Sequence, residues 1–445
     1  MIKLGLSIKY PDQPQPSIRQ IYNLVGKINA NDREGRNHAQ QMMHLASAKG
    51  YVHFIDIDQK TNKLRYIFMA HPEGAKLFKS YPYVVGIDST YKTNLYGMPF
   101  VEFVGVTPVG KSFLIAYALL EDETSTSYEW ALNQLKLMLD SIVPNVFMIT
   151  DREKGLLLAL CYVFPNTPHM LCLWHINTGV ENRATKFYGD ALAVQNFRRY
   201  RWKPMAEMKT VVEFENAWNK MKNSFHKHEM ADYLESTWMP YATNFAKCYT
   251  DKILHFGSRT TSRVESAHGI LKSWFSSSTL ALDSIWQRVD AMLTVQHSEI
   301  RKELEMSRSK NRHDKFGTLF AMVKGVVSHR ALELMEKKIN RGLSLGYDLI
   351  IQCGCTFELS YGLPCACSLI MRYYDGGSIY PSECHEFWRT LVFHQGPSTD
   401  LDRFEEYVNK ARKADPTTLR DIMQSMSNHL YPEYEELQEP SVKET

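Results

Sequence analysis

The chain has 445 residues, of which 44% are hydrophobic and 23% are charged, an ordinary balance for a soluble globular protein of two or three domains. Its 52 Lys and Arg residues against 49 Asp and Glu residues give a net charge of +3, too small to require a nucleic-acid partner. No apolar run approaches the roughly 20 residues needed to cross a bilayer, and no signal peptide begins the chain, so we expect an intracellular protein without membrane contact.

The first part of the chain, residues 1–80, predicts a helix followed by two strands. A helical apolar period runs from Ser17 to about Ala48. Residues 51–55 and 64–68 then have strand character, and polar residues separate them. We interpret this part as a small leading region.

Residues 81–176 predict a sheet with helices in its later half. The connection at 108–111 has hairpin length, so the strands on its two sides are expected to be antiparallel neighbours. The order βββαβαβ makes this an α/β arrangement. The predicted strands are 83–88, 99–107, 112–120, 146–150 and 169–173, and the predicted helices run through 128–139 and 156–160.

The rest of the chain predicts mostly helices. Repeated helical stripes with few strand signals indicate an all-helical insertion. The predicted divisions are the insertion at 177–256, a completion of the core at 257–300, a helical connector at 301–345, a cysteine module at 346–391 and a tail at 392–445.

Three acids stand out in this order. Asp88 and Asp151 each end an apolar strand, and Glu265 opens a helical segment. A carboxylate at the end of such a strand is costly to desolvate unless a cation meets it, and a divalent metal is the usual partner. An aspartate there is also a common turn or cap residue, and Ser262 with Glu265 forms a good capping box. The residues alone leave both interpretations open.

Several short motifs occur in one order along the chain. They are Asp-Ser-Thr-Tyr-Lys-Thr-Asn at 88–94, Met-Pro at 98–99, Val-Gly-Val-Thr at 104–107, Thr-Asp-Arg-Glu at 150–153 and Cys-Leu-Trp-His at 172–175. This series resembles the Mutator-like element (MULE) transposase domain. It is similar also to the plant far-red-impaired-response proteins, which look like domesticated descendants of such transposases. The resemblance runs from about Ser17 to about Leu391.

The resemblance implies an RNase H-like fold with a mixed five-stranded sheet, in which the first and fourth strands lie side by side. Asp88 and Asp151 would then share one edge, and the helix bearing Glu265 would return over the sheet. Phosphodiester cleavage and strand transfer need the attacking and leaving oxygens stabilised together, which two divalent ions do. The expected cofactor is Mg²⁺ or Mn²⁺, with Asp88 bridging both ions and Asp151 and Glu265 each holding one.

Cys172 and His175 have ligand-like side chains three residues apart. In a regular strand these positions face opposite sides, so they serve one site only if the strand ends between them. A core cysteine followed by a hydrogen-bonded histidine is the alternative. In the resembling transposases this Cys-x-x-His pair lies near the active site, so we interpret both residues as supporting the site.

Four of the eight cysteines fall within fifteen residues, as Cys353, Cys355, Cys365 and Cys367. Because intracellular compartments are reducing, such cysteines are expected to be thiols or metal ligands. Two Cys-x-Cys pairs around a turn-prone stretch predict a tetrahedral zinc site. The pattern resembles the SWIM zinc finger, with Cys367 where that motif has histidine. Buried free cysteines are the alternative, and the neighbouring pair Cys384 and His385 offers a replacement ligand.

One basic stretch predicts contact with DNA. Arg198, Arg199, Arg201 and Lys203 alternate with aromatic residues, and phosphate contacts need such cations while aromatics stack on bases. A solvated helix face is the alternative.

Three functions remain after these observations. The first is a DDE-type cut-and-paste transposase acting in the nucleus on double-stranded DNA at terminal inverted repeats, as a homo-oligomer on the DNA. The second is a domesticated, non-catalytic DNA-binding transcription regulator, and the third is an unrelated nuclease on the same sheet. Full-length relatives usually carry an amino-terminal zinc-binding DNA reader. The first cysteine here is Cys161, so we expect either a truncated or captured copy whose catalytic core survives, or docking on DNA through the helical insertion and the cysteine module.

Overall fold

The computed structural model describes residues 32–139, 146–225, 228–259, 262–275, 277, 279–309, 316–345, 353–392 and 437–442. Within this part, the centre of the molecule is one mixed sheet of seven strands, in the order β1-β2-β5-β4-β3-β6-β7. The strands are β1 Val52–Ile57, β2 Leu64–Ala70, β3 Val84–Thr90, β4 Phe100–Val106, β5 Ser112–Leu119, β6 Phe147–Thr150 and β7 His169–Leu171.

The pairing of the strands confirms the predicted neighbours. Strand β3 pairs antiparallel with β4 and parallel with β6, and β6 pairs parallel with β7. The hairpin partners β4 and β5 are antiparallel, as their short connection predicts. The predicted adjacency of the first and fourth strands of the βββαβαβ series is therefore confirmed.

The number of strands is a correction. The sequence predicts a five-stranded sheet with the hairpin β1–β2 in a separate leading region. In the structure β2 pairs antiparallel with β5, through Ile67 opposite Leu119 and Met69 opposite Tyr117. Strand β5 would otherwise leave an unpaired edge of backbone amides and carbonyls, and the leading hairpin covers it.

The helices enclose the sheet and form the predicted insertion. Residues 177–225 and 228–256, the described part of that insertion, contain helices and turns and no strand. The helices are α1 His38–Ala48, α2 Pro72–Ser80, α3 Ser125–Met138, α4 Lys154–Val163, α5 Leu173–Tyr188, α6 Ala191–Phe197, α7 Lys203–Ala206, α8 Val211–Asn223, α9 His228–Thr237, α10 Ala242–Phe245, α11 Lys247–Thr250, α12 Ser262–Trp274, α13 Leu282–Ser309, α14 His329–Leu345, α15 Thr356–Tyr361, α16 Ala366–Tyr374 and α17 Glu386–Arg389. A π-helical turn, Arg198–Trp202, joins α6 to α7.

Both faces of the sheet are buried. One face, with Phe68, Val85 and Phe103, packs against α3, α4 and the helices that follow residue 316. The opposite face, with Phe100 and Tyr117, packs against α1, α12 and α13. This two-sided cover explains the nearly continuous apolar runs of β3 to β6, because strands buried on both faces lose the polar alternation of a half-exposed sheet.

Two carboxyl-terminal segments are tied to the sheet. Tyr83, just before β3, donates its hydroxyl to Glu386 Oε1 at 2.5 Å, and Tyr81 donates to the carbonyl of Thr390 at 2.9 Å. The segment at 437–442 lies against the hairpin β1–β2, where Gln438 pairs with Lys63. The part of the predicted tail at 393–436 and the part of the predicted first helix at 17–31 lie outside the described residues.

A buried histidine pair lies where α2 meets α13. The rings of His71 and His297 are 4.7 Å apart, and His297 is 2% exposed with no hydrogen-bond partner at either ring nitrogen. The carboxylate of Glu73 lies 3.5 Å from His297 Nδ1 but pairs with Arg301. Burial, with the neighbouring His71, lowers the pKa of His297 to about 3.

We expect His297 to make the protein less stable in mild acid. Its pKa in the folded protein is below the ordinary 6.5, so the folded state cannot take up the proton that the unfolded state binds below pH 6.5. Its destabilising effect is absent above pH 6.5 and grows to about 2 kcal/mol at pH 5. The free energy of unfolding, measured with urea at pH 7 and pH 5, should fall by about 2 kcal/mol less in the His297→Gln variant than in the wild type. The exposed His44, replaced in the same way, is the control, and an unchanged pH slope in His297→Gln would refute the assignment.

Candidate functional site

The candidate site lies at the carboxyl edge of the sheet, where β3, β6 and β7 end. These three strands run parallel, so their carboxyl ends meet at one edge. Ligands of parallel sheets bind at such edges, because the loops that leave the strands converge there. Asp88 lies two residues before the end of β3, Asp151 directly follows β6 and Cys172 directly follows β7.

Asp88 is a buried acid on the face covered by α12 and α13. Val85 and Ile87 belong to the core on the opposite face, and alternation along β3 turns Asp88 away from them. Asp88 is 6% exposed, and its Oδ1 accepts the Ser89 N–H at 2.9 Å.

Asp151 directly follows β6. The parallel register pairs Gly86 with Ile149 and Ile87 with Thr150, so Asp88 and Asp151 each follow the last pair of this ladder by one residue. Asp151 Oδ1 accepts the Glu153 N–H at 3.1 Å. Burial raises the pKa of Asp151 above its ordinary value, although the Glu153 hydrogen bond and the charge of His175 oppose the increase. Burial of this carboxyl group therefore disfavours its charged form, and a nearby positive charge favours it.

The helix that carries Glu265 packs on the same strands. Helix α12 contacts β3, β4 and β5, and its Leu271 lies in the core with Phe100. Phe275, which follows the helix, meets the Phe100 ring edge to face at 6.0 Å. Glu265 is on the first turn of α12, and its side chain lies outside the described residues. Its convergence with the two aspartates, like the alternative capping role, stays a prediction.

Sequence reasoning missed Glu102, a fourth acid beside the site. Glu102 lies directly opposite Asp88 in the antiparallel pair of β3 and β4, and it is fully buried. Directly opposite side chains of such a pair lie on one face with their Cβ atoms about 5 Å apart. The available signal was a charged residue inside the apolar run Phe-Val-Glu-Phe-Val at 100–104.

The Cys-Leu-Trp-His motif spans the end of β7 and the start of α5. Cys172 is fully buried, and its N–H donates to the Thr150 carbonyl at 2.8 Å, next to Asp151. His175 lies on the first turn of α5, and its positive form opposes the raised pKa of Asp151. The strand ends at Leu171, before the motif, so the helix brings His175 towards the same edge.

A close approach between loops shapes this edge. A Cβ atom on Gly155 would lie 2.5 Å from the Glu123 carbonyl oxygen, so the loop after β5 can contact the start of α4 only because residue 155 is glycine. Glu153 caps α4 by accepting the Leu156 N–H at 2.6 Å. Glu153 therefore orients the loop that holds Asp151.

The four clustered cysteines converge in space. Their sulfur atoms all lie within 4.8 Å of one another. Cys355 Sγ is 3.8 Å from Cys367 Sγ and 3.6 Å from Cys365 Sγ. Four sulfurs around one zinc ion at about 2.3 Å would be roughly 3.8 Å apart. Cys365 Sγ and Cys367 Sγ are closer together, at 2.9 Å. The donor set and two of these three distances fit a zinc ion.

The local backbone explains this convergence. Gly354 and Cys355 both have left-handed backbone angles, with φ of 64° and 51°, so the chain turns sharply between the first two thiols. Burial would raise the pKa of Cys353, but hydrogen bonds from the backbone of Cys367 and Cys355 lower it below the ordinary value.

Cys384 and His385 lie apart from this cluster. Cys384 is buried in the core beside the sheet, where burial raises the pKa of its thiol to about 12. His385 Nδ1 accepts the Phe387 N–H at 3.1 Å, so this histidine caps α17. The structure does not bring the proposed replacement ligand to the four thiols.

The predicted basic stretch is partly engaged within the protein. Arg198 pairs with Glu181 at 2.7 Å, and Arg201 donates to Ser224 Oγ at 2.8 Å. Arg199 lies over the Tyr200 ring, 5.4 Å from its centre, and Lys203 is an exposed residue at the start of α7. Only part of this stretch therefore keeps its cations available to a partner.

Among the described residues, every helix is too short or too polar to span a lipid bilayer.

The candidate site lies in a segment of the chain that matches a known protein family. Residues 84–179, from the start of β3 to the middle of α5, match the family model of the MULE transposase domain. Over 372 residues the chain is 24% identical to the PKS-NRPS hybrid synthetase cheA of Chaetomium globosum, which covers 74% of this chain and 8% of that protein.

Two Arabidopsis thaliana proteins match a shorter segment. FAR1-RELATED SEQUENCE 4 is 27% identical over 167 residues, which covers 38% of this chain and 22% of that protein. FAR-RED IMPAIRED RESPONSE 1 is 27% identical over 175 residues, which covers 39% of this chain and 21% of that protein. The chain thus spans less than a quarter of the length of each relative. Residues 84–179 thus match the MULE transposase domain, and the chain is similar to FAR1-RELATED SEQUENCE 4 and FAR-RED IMPAIRED RESPONSE 1.

Proposed function

We propose that this protein is a Mutator-like DDE transposase that cleaves and joins DNA strands, with Asp88, Asp151 and Glu265 as its catalytic carboxylates. The observation that carries the proposal is the parallel register of β3 and β6, in which Asp88 and Asp151 each follow the last paired residues, Ile87 and Thr150. Both lie within the segment that matches the MULE transposase domain. The packing of α12 on the same strands supports the inclusion of Glu265.

The strand order supports an RNase H-like interpretation of the core. Strands β3 to β7 follow the series βββαβαβ and lie in the order β5-β4-β3-β6-β7. In this interpretation the hairpin β1–β2 extends an RNase H-like sheet at the edge away from the acids. The helical insertion separates Asp151 from Glu265 in sequence.

The acids fit divalent cations with hard oxygen ligands. Asp88 is buried, Asp151 has a raised pKa and Glu102 lies opposite Asp88, so carboxyl groups are concentrated where water is scarce. Such a group of carboxylates is favourable only beside positive charge. Mg²⁺ or Mn²⁺ bound there would stabilise the charge that develops on the phosphate oxygens.

The chain's own residues hold the reacting groups in place. Asp88 and Asp151 are fixed by hydrogen bonds from the Ser89 and Glu153 amides. In the first reaction water attacks the phosphorus at the element end, which breaks one P–O bond and leaves a 3′ hydroxyl and a 5′ phosphate. In the second, that 3′ hydroxyl attacks a target phosphodiester, forming one P–O bond and releasing another 3′ hydroxyl. Double-stranded DNA with terminal inverted repeats, a homo-oligomer on DNA and a nuclear location belong to this proposal.

The cysteine module belongs to the proposal as a zinc-binding element of SWIM type. Its ligands are Cys353, Cys355, Cys365 and Cys367. Helix α16 carries Cys367 and packs its Leu369 into the core beside the sheet. Zinc at this place would stabilise the packing of the module on the sheet rather than take part in strand cleavage.

A second candidate is a DNA-binding transcription regulator without catalysis. It is favoured by the similarity to FAR1-RELATED SEQUENCE 4 and FAR-RED IMPAIRED RESPONSE 1. Such a regulator needs the sheet and the cysteine module but not ionisable acids at Asp88 and Asp151. The presence of those acids at one edge favours the transposase.

The direct test is metal-dependent DNA cleavage. With Mg²⁺ or Mn²⁺ we expect the protein to nick DNA that contains the inverted-repeat ends, and Asp88→Asn to lower the rate on the order of a thousandfold, because several kcal/mol of charge stabilisation are lost. Asp58→Asn is the matched control, since Asp58 lies in the turn between β1 and β2 and bonds Thr61 there. Equal nicking by the wild type and Asp88→Asn would exclude this mechanism. Specific DNA binding without any cleavage would favour the regulator.

Cation binding can be tested without DNA. The folded state holds the Asp151 pKa above its ordinary value, so this group favours folding at low pH and opposes it once it ionises as the pH rises. At neutral pH, Mg²⁺ should therefore raise the melting temperature of the wild type. Asp151→Asn should melt higher than the wild type in ion-free buffer and respond less to Mg²⁺. An identical Mg²⁺ response of both proteins in a thermal melt would contradict a cation at Asp151.

The zinc site has a separate test. Protein prepared without chelator should contain one zinc ion per chain by elemental analysis. Replacing Cys355 and Cys365 together with serine should remove the zinc and lower the melting temperature, because the ligand set is broken. Cys161→Ser, at an exposed cysteine away from the cluster, should keep it. Absence of zinc from the wild type, or its retention in the double variant, would overturn the assignment.

A further inference from the structure

Two exposed aromatic side chains lie along the sheet edge that carries the two aspartates. Tyr91 follows Asp88 by three residues and is 53% exposed, and Trp174 follows the end of β7 and is 48% exposed. Strand β6 lies between β3 and β7, so Asp151 sits between these two aromatic positions along the edge. Single exposed aromatics are common on protein surfaces, but two of them beside a candidate active site indicate a surface that binds a ligand.

Both side chains are held in place. The Tyr91 hydroxyl donates to the carboxylate of Glu123, which also accepts the Tyr128 hydroxyl at 3.0 Å. Tyr128 is in turn bonded to Ser89 Oγ at 2.9 Å, next to Asp88. The Trp174 ring stands edge to face on the His175 ring at 4.9 Å, on the first turn of α5. The two rings are therefore positioned relative to the acids before any ligand binds.

The charges of this edge restrict the kind of nucleic acid that fits. Asp151, Glu153 and Glu123 repel phosphate groups, so the edge cannot gain much from a duplex backbone except through bound cations. Aromatic rings instead attract the faces of bases, and this stacking tolerates any base sequence. In an intact duplex the base faces are covered by neighbouring base pairs, so they become available only where the strands are unpaired.

A lysine next to Tyr91 adds one phosphate contact. Lys92 is exposed and has a left-handed backbone with φ of 57°, at the point where the chain leaves β3. Its ammonium group can bind a backbone phosphate of whatever strand lies along the edge. Such a contact does not distinguish paired from unpaired DNA.

We infer that this edge binds DNA whose bases beside the reacting phosphate are unpaired, with Tyr91 and Trp174 stacking on those bases. The inference rests on the proposed function, because it assigns the reacting phosphate to the acids. It goes further by making local strand opening a condition of binding. The acids then meet a phosphate whose neighbouring bases are held by the two rings.

The test compares two DNA probes of one sequence in Ca²⁺, one fully paired and one forked with a few unpaired nucleotides that include 2-aminopurine. Wild-type protein should bind the forked probe about tenfold tighter and quench its fluorescence. Trp174→Ala and Tyr91→Ala should each remove most of that preference, and Trp174→Phe should keep most of it. Lys92→Gln should weaken the binding of both probes equally. Tyr162→Ala, at a 74% exposed tyrosine on α4, is the matched control and should change neither.

Equal affinity of the wild type for both probes would overturn the inference, as would an unchanged preference in Trp174→Ala and Tyr91→Ala. The outcome is separable from that of the proposed function. If Trp174→Ala cleaves DNA with wild-type selectivity, the transposase proposal stands and the stacking proposal is wrong. If the preference for forked DNA depends on Trp174 but no cleavage occurs, the stacking proposal stands and the transposase proposal is wrong.

Discussion

The parallel pairing of β3 with β6 is the constraint on which the candidate site depends. It sets Val84 against Phe147 and Ile87 against Thr150, so Asp88 and Asp151 each follow the last pair by one residue. A slip of one residue would move every side chain of one strand to the other face, so Ile87 would leave its apolar core and Asp88 would enter it. The cost of that exchange fixes the register that Asp88 and Asp151 continue. The core thus positions the acids although it does not touch a substrate.

The two ends of β3 have different neighbours. Before the strand begins, Tyr83 is bonded to Glu386, which belongs to the carboxyl-terminal segment with the four cysteines. At the other end, Asp88 faces the side covered by α12. An ion bound by the cysteines would therefore strengthen the packing behind the site, far along the strand from the acids. This separation suits a structural role for the cysteine module and a chemical role for the opposite edge.

The edge also contains buried carboxyl groups, which are uncommon inside proteins. Asp88 and Glu102 are buried acids opposite each other, and burial raises the pKa of Asp151 beside them. Buried carboxyl groups opposite each other on a sheet are rare, and proteins retain such groups mainly where function requires them. The rest of the sheet is filled with apolar side chains, as in the stacked rings of Phe100 and Tyr117 at 5.0 Å. The concentration of acids at one edge is thus a local exception in a well-packed core.

The sequence by itself determined the elements, because their patterns are local. The apolar runs around Ile87 and Ile149 predicted β3 and β6, and the Cys-x-Cys spacing predicted four neighbouring thiols. Tertiary structure decided what depends on distant contacts. The pairing of β2 with β5 enlarged the sheet to seven strands, and the pairing of β3 with β4 brought Glu102 opposite Asp88. Neither partner is marked by local spacing, since strand pairing is set by the shape and burial of whole faces.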